Sequence, residues 1–148
     1  MIKRATPVIV GNWKTTPETL TTALKFIKQL DKKCELMSSG RESKLMTKLP
    51  KKAYFIAAPD VFIPHLKAVA TRGYIGAQNV SGTSIGQVTG ATVPSQLLTA
   101  GADFTIIGHS EVRKQGETVD ARAHKVALAL QSKLTTKSYG SYTITRHG

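Results

Sequence analysis

The chain has 148 residues, 41% of them hydrophobic and 20% charged, enough apolar material for one domain with a sizeable core. Its single cysteine, Cys34, excludes an internal disulfide framework and fits a reducing compartment, the cytoplasm; no apolar run approaches the ~20 residues that span a bilayer, and the basic start at Met1 to Arg4 leads only into a short run, so no signal peptide is expected. A formal charge of +12, from 21 basic and 9 acidic residues, would favour anionic partners such as nucleic acid or phosphorylated metabolites, although a solvated basic surface is the plainer reading because charge says nothing of fold.

The first element is a short apolar run, Pro7-Val8-Ile9-Val10, read as a buried strand. It leads into Gly11-Asn12-Trp13-Lys14, where glycine permits a tight turn and alternate residues Asn12 and Lys14 share a face. Thr15, Thr16 and Pro17 announce a helix, and Leu20, Ala23, Leu24, Ile27 and Leu30 make its apolar stripe. Lys25, Lys28, Lys32 and Lys33 fall largely off that stripe and read as a wet face. From Asp31 to Leu49 periodicity fades, which suggests a helix end and a mobile basic connection.

A second strand is expected at Ala53 to Ala58, stopped by Pro59. A helix from near Pro64 to Arg72, closed by Gly73, follows, with His65 on or near it and without a function. Tyr74 to Asn79 reads as a third strand. The glycine-rich stretch Ser81 to Ala91 is too long for a simple turn, and it lacks the Gly-Lys-Ser/Thr of a phosphate-binding P-loop. Pro94 and Ser95 open a short helix that Gly101 ends.

Phe104 to Ile107 is then a buried strand, and Gly108-His109-Ser110-Glu111 stands at its carboxyl end, the end at which parallel α/β proteins bind ligands. Val119, Ala123, Val126, Ala127 and Leu130 mark a last amphipathic helix, with His124 on its surface. This alternation of strand and helix implies parallel strands with right-handed crossovers. Residues 137–146 are polar, weakly strand-like and without a place in the pattern.

Four motifs in order, Gly11 to Lys14, Gly76-Ala77-Gln78-Asn79 with Thr89-Gly90 in the loop after it, Ile106 to Glu111, and Gly116-Glu117-Thr118, resemble the triosephosphate isomerase family over roughly Pro7 to Leu134. The resemblance implies an α/β fold, a partial TIM (β/α)8 barrel of about four parallel βα units over residues 1–134. A divergent tail over residues 135–148 would lie outside the family fold. It implies isomerisation of glyceraldehyde 3-phosphate and dihydroxyacetone phosphate in glycolysis and gluconeogenesis, with no cofactor and no metal. The implied partners are a small phosphorylated triose and either a second copy in the family homodimer or a complementing carboxyl-terminal half; membrane and nucleic acid are not expected partners.

By the same resemblance, His109 is the electrophile that donates to the substrate carbonyl and shuttles a proton, working as a neutral imidazole because a helix N-terminus beside it disfavours the cation. Lys14 and Asn12 hold the substrate, and Lys14 also supports the developing enediolate charge. Glu111 orients Lys14, Ser110 fixes the local turn, and Thr89 belongs to the dimer loop. Where the family carries glutamate after Thr-Gly and arginine after His-Ser-Glu, this chain has Ala91 and Val112, so an ion pair across the dimer interface is lost as a pair. The basic stretch from Lys44 to Lys52 is a further departure.

The family's general base, a glutamate after the sixth strand, has no counterpart here, nor have its lid and late phosphate-binding loops, since a full barrel takes ~250 residues. The chain is therefore expected to be a fragment with two open strand edges, self-associating or poorly folded and catalytically dead or nearly so when isolated. The competing reading is a basic non-catalytic module that binds nucleic acid or another anionic partner. Charge alone supports it, because the chain lacks an RNA-recognition motif, paired zinc ligands and a helix-turn-helix.

Overall fold

A computed structural model describes residues 9–39 and 51–133, together with the backbone of 135–139 and 142–146. The calls on Pro7 and Val8 and on the basic stretch from Lys44 as far as Pro50 lie outside these residues. Four short strands, β1 (Val10–Asn12), β2 (Tyr54–Ala58), β3 (Gly73–Ala77) and β4 (Phe104–Ile107), pair in parallel and in chain order. They curl into half of a barrel wall, with the helices outside, as the alternation predicts.

The pleat sorts side chains to the two faces of this wall. Ile56, Ala58, Ile75, Ala77 and Ile107 meet Ala23, Ile27, Ile63, Leu66 and Leu97 in the core under the helices. Val10, Phe55, Ala57, Tyr74, Phe104 and Ile106 form the inward layer. There Phe55 packs against Tyr74 at 4.7 Å and edge-on to Phe104 at 5.6 Å. Gly76 gives this layer its room: a Cβ there would run into the Phe104 carbonyl and ring. Gly76→Ala is expected to destabilise the chain by about 1–3 kcal/mol, because a packed core does not absorb an added methyl group at a backbone contact. A urea midpoint equal to that of the parent would refute this.

The first helix, α1 (Leu20–Ser38), starts later and runs further than its periodicity suggests. Thr16 bonds the Trp13 carbonyl instead of capping, and Thr19 takes the cap by accepting the Thr22 N–H. The apolar stripe through Ala23 and Ile27 continues at helical spacing with Asp31 and Cys34, both buried. Asp31 counts as polar in any periodicity, yet it accepts the Thr71 and Arg72 N–H groups at 2.7 and 3.0 Å, the Thr71 hydroxyl at 2.9 Å and the Tyr54 hydroxyl at 2.7 Å. Those bonds explain why the next helix is short. After a 3-10 turn at Asp60–Phe62, α2 (Ile63–Val69) ends with Ala70 as its cap, since Thr71 and Arg72 are drawn to the carboxylate. Gly73 therefore does not break the helix but opens β3, where a Cβ would strike the Tyr54 ring.

Helices α3 (Pro94–Thr99), α4 (Ser110–Lys114) and α5 (Val119–Gln131) follow. The stripe read on α5 is turned from the face that packs: Ala129 is buried and Val126 lies against the core, while Val119 is 69% and Leu130 47% exposed. The tail forms a hairpin of β5 (Thr135–Tyr139) and β6 (Tyr142–Arg146), and β6 lies antiparallel on β4, from Phe104 opposite Arg146 to Ile107 opposite Thr143. The strand order is β1-β2-β3-β4-β6-β5, so the edge of β4 expected to be open is paired. Among the described residues no helix is long and apolar enough to cross a membrane.

Candidate active site

Two strand ends meet at the carboxyl rim of the wall. Asn12 is the last residue of β1, and Lys14 stands two residues on, with a φ of 54°. That left-handed conformation costs a lysine about 1–2 kcal/mol and persists only when its surroundings hold it. Three contacts do so. The Asn12 side-chain oxygen accepts the Lys14 N–H at 3.0 Å, the Gln78 amide donates to the Lys14 carbonyl at 2.6 Å, and Trp13 N–H donates to the Ala57 carbonyl at 2.9 Å.

From the other strand end, Gly108 turns the chain out of β4 with a φ of 77°, which glycine adopts without strain. His109 caps α4, and Ser110 is the first residue of that helix. Nδ1 of His109 accepts the Glu111 N–H at 3.2 Å. A ring nitrogen that accepts carries no proton, so the neutral ring holds its hydrogen on Nε2 and presents it as a donor.

Glu111 joins the two ends. Its Oε1 lies 2.7 Å from Nζ of Lys14, and its Oε2 lies 3.7 Å from Nδ1 of His109. The hydrogen bond from the Lys14 ammonium holds the Glu111 carboxyl below its ordinary range, with the charges of Lys14 and Lys114 adding to it. Both Lys14 and Glu111 are more than half exposed, so the pair adds little to the stability of the fold. Asn12, Lys14, His109, Ser110 and Glu111 thus gather at one rim. Thr89 does not join them: it sits in the exposed loop after β3, beside Val88, and makes no hydrogen bond to the rim.

Sequence reasoning assigned no part to Gln78, whose amide ties the end of β3 to the Lys14 turn; a polar amide directly after an apolar strand was the available signal. It also missed the support behind this rim. Lys125 of α5 bonds Asn79 at 3.0 Å and pairs with Glu117 at 2.6 Å, and both charged side chains are nearly buried. No spacing in the sequence marks that pairing. Among the described residues, no group of three or more His, Cys, Asp or Glu side chains is placed to hold a metal ion.

A family model described as triosephosphate isomerase matches residues 7–137. The chain is 31% identical over 127 residues to the triosephosphate isomerase of Lactiplantibacillus plantarum, covering 84% of this chain and 45% of that protein. It is 34% identical over 131 residues to that of Citrifermentans bemidjiense, covering 86% and 47%. The counterpart from Nitrosococcus oceani is 30% identical over 127 residues, covering 84% and 46%. The chain thus spans a little under half the length of the curated relatives it matches, and within that span it belongs to the triosephosphate isomerase family.

Proposed function

We propose that this chain supplies the amino-terminal half of a triose-phosphate isomerase active site, acting in the cytoplasm on glyceraldehyde 3-phosphate and dihydroxyacetone phosphate. The observation that carries the reading is the link across two strand ends made by Glu111, whose carboxylate holds the Lys14 ammonium and whose N–H donates to Nδ1 of His109. Moving a proton beside a carbonyl needs a group that stabilises the enolate oxygen and a base that takes the proton. Lys14 binds the anionic substrate and offsets the developing charge, with Glu111 setting its direction. Asn12 spends its carbonyl oxygen on the Lys14 turn and offers its amide hydrogens to the substrate oxygens. His109, neutral and protonated on Nε2, donates to the carbonyl and passes a proton between the two substrate oxygens, while Ser110 sets the start of α4 that fixes the ring.

The base and the phosphate grip come from polypeptide outside this sequence. The tail over residues 135–148 lies outside the family portion of the chain in this reading, and its β6 pairs with β4. Loop 81–91, which carries Thr89, exposes Ile85 at 79% and Val88 at 45%, as a loop that inserts into a second subunit of a homodimer would before assembly.

The test is a covalent fusion of residues 1–134 to the part of the Lactiplantibacillus plantarum isomerase beyond the matched stretch. The fusion is expected to interconvert the two trioses in a coupled assay, and the 148-residue chain alone to give no steady turnover. A fusion that folds and binds a phosphorylated triose without turnover would sink the reading, as would turnover by the isolated chain.

A further inference from the structure

The tail hairpin takes the edge of β4 that β3 leaves open. Its inner strand, β6, runs antiparallel to β4, with Phe104 opposite Arg146 and Ile107 opposite Thr143. One step beyond the Ile107–Thr143 pair, the same register brings Tyr142 level with Gly108, and Tyr139 stands opposite Tyr142. The end of β5 and the start of β6 therefore lie at the carboxyl rim, beside the turn that leads into His109. Helix α5 lies against both strands of the hairpin, and only residues 132–134 separate that helix from β5.

We infer that this hairpin is an autoinhibitory element: by occupying the β4 edge up to the rim, it keeps out the second polypeptide that would complete the site. The inference rests on the reading above, in which the base and the phosphate grip come from outside this sequence, and it gives a role to the tail that lies outside the family portion. A strand has two edges, and with β3 on one and β6 on the other β4 has none to offer. The direction of β6 excludes a second strand as firmly as its place does. A wall of parallel strands continues only through a strand parallel to β4, so an antiparallel neighbour cannot become its next member and has to leave first. Tethering favours the occupant already there. A strand pair joined to its own helix by so short a connection acts at an effective concentration on the order of millimolar, whereas a separate polypeptide has only its own concentration.

The probe is the part of the Lactiplantibacillus plantarum isomerase beyond the matched stretch, expressed separately, with association followed by sedimentation velocity. It is titrated into residues 1–148, into residues 1–134, and into a full-length chain carrying Cys34→Ser with Thr105→Cys and Thr145→Cys. Thr105 and Thr145 are partners in the β4–β6 register, and Cα atoms of paired strands stand about 4.5–5.5 Å apart, within reach of a disulfide. Oxidation is expected to close that bond and abolish association, and reduction to restore the level of residues 1–148. Residues 1–134 should bind at least about tenfold more tightly than residues 1–148. A cysteine pair that does not close overturns the inference, as does association indifferent to oxidation or equal for the two lengths. Absence of binding by every form overturns it too, since a tail with nothing to exclude inhibits nothing. The locked and unlocked states are one full-length protein, so the result stands even where residues 1–134 fail to fold. An active fusion together with binding indifferent to the tail removes the inhibition and leaves the active-site reading standing; binding governed by the tail with a dead fusion does the reverse.

Discussion

Replacing His109 by glutamine in the fused chain is expected to lower triose-phosphate turnover by about 10²–10⁴-fold, with a much smaller change in KM. Glutamine still donates a hydrogen bond from roughly the same place. It cannot give up a proton and take another during the cycle, and it lacks the ring nitrogen that accepts the Glu111 N–H at 3.2 Å. Lys14→Met is expected to act differently, raising KM as well as lowering turnover, because it removes a charge that attracts the substrate before any proton moves. Glu111→Gln should fall between parent and Lys14→Met, since it loosens the ammonium without deleting it. Steady-state kinetics of the four fused proteins on glyceraldehyde 3-phosphate separate these roles. Parent-like turnover in His109→Gln would remove this histidine from the chemistry.

Asp31→Ala is expected to cost about 3–5 kcal/mol, enough to unfold a marginal domain. The substitution strands the Thr71 and Arg72 N–H groups and the Tyr54 hydroxyl in a place where the carboxylate is only 7% exposed. The same carboxylate makes stability depend on acid. Burial would raise its pKa, but the hydrogen bonds from Tyr54, Thr71 and Arg72 outweigh burial and hold it below the ordinary value. A carboxyl whose folded pKa is depressed binds its proton more weakly folded than unfolded. Its stabilisation is therefore complete above the ordinary carboxylate pKa, about 4, and is lost as pH falls through the lower folded value.

Burial pushes Tyr54 far upward, so its hydroxyl remains a donor throughout that range. Asp60, raised by burial, acts in the opposite sense, and the comparison is accordingly between parent and Asp31→Asn rather than along one curve. Urea midpoints from pH 2 to 7 should converge for these two proteins at the acid end. A constant gap would show that folding leaves the Asp31 pKa unshifted.

Much of this arrangement could be read from residue order. The apolar runs Tyr54 to Ala58 and Phe104 to Ile107 are strands, and the polar groups just past Val10 and Ile107 stand at one rim. What escaped was polar residues doing structural work. Asp31 interrupts a hydrophobic pattern while holding three segments together, and so it looked like the end of its helix. Gly73 looked like a helix breaker because nothing in its neighbourhood of sequence announces the Tyr54 ring, nineteen residues upstream, that needs the space. The face of α5 was misread for a different reason: periodicity reports which side is apolar, and packing requires an element to cover it, which Val119 and Leu130 lack. Gln78 and Lys125 act through contacts 64 and 46 residues away, which no local pattern encodes.

The tail hairpin also bears on the order in which the chain assembles. Tyr139 pairs with Tyr142 across only two residues, whereas Val10 must find Phe55. Hairpins close in about 1–10 μs, and pairings that span long stretches of chain are slower because loop-closure entropy is spent before any contact forms. The strand destined for β4 therefore meets a ready neighbour from its own chain while the rest of the sheet is still being built, and encounters between nascent molecules lose that race.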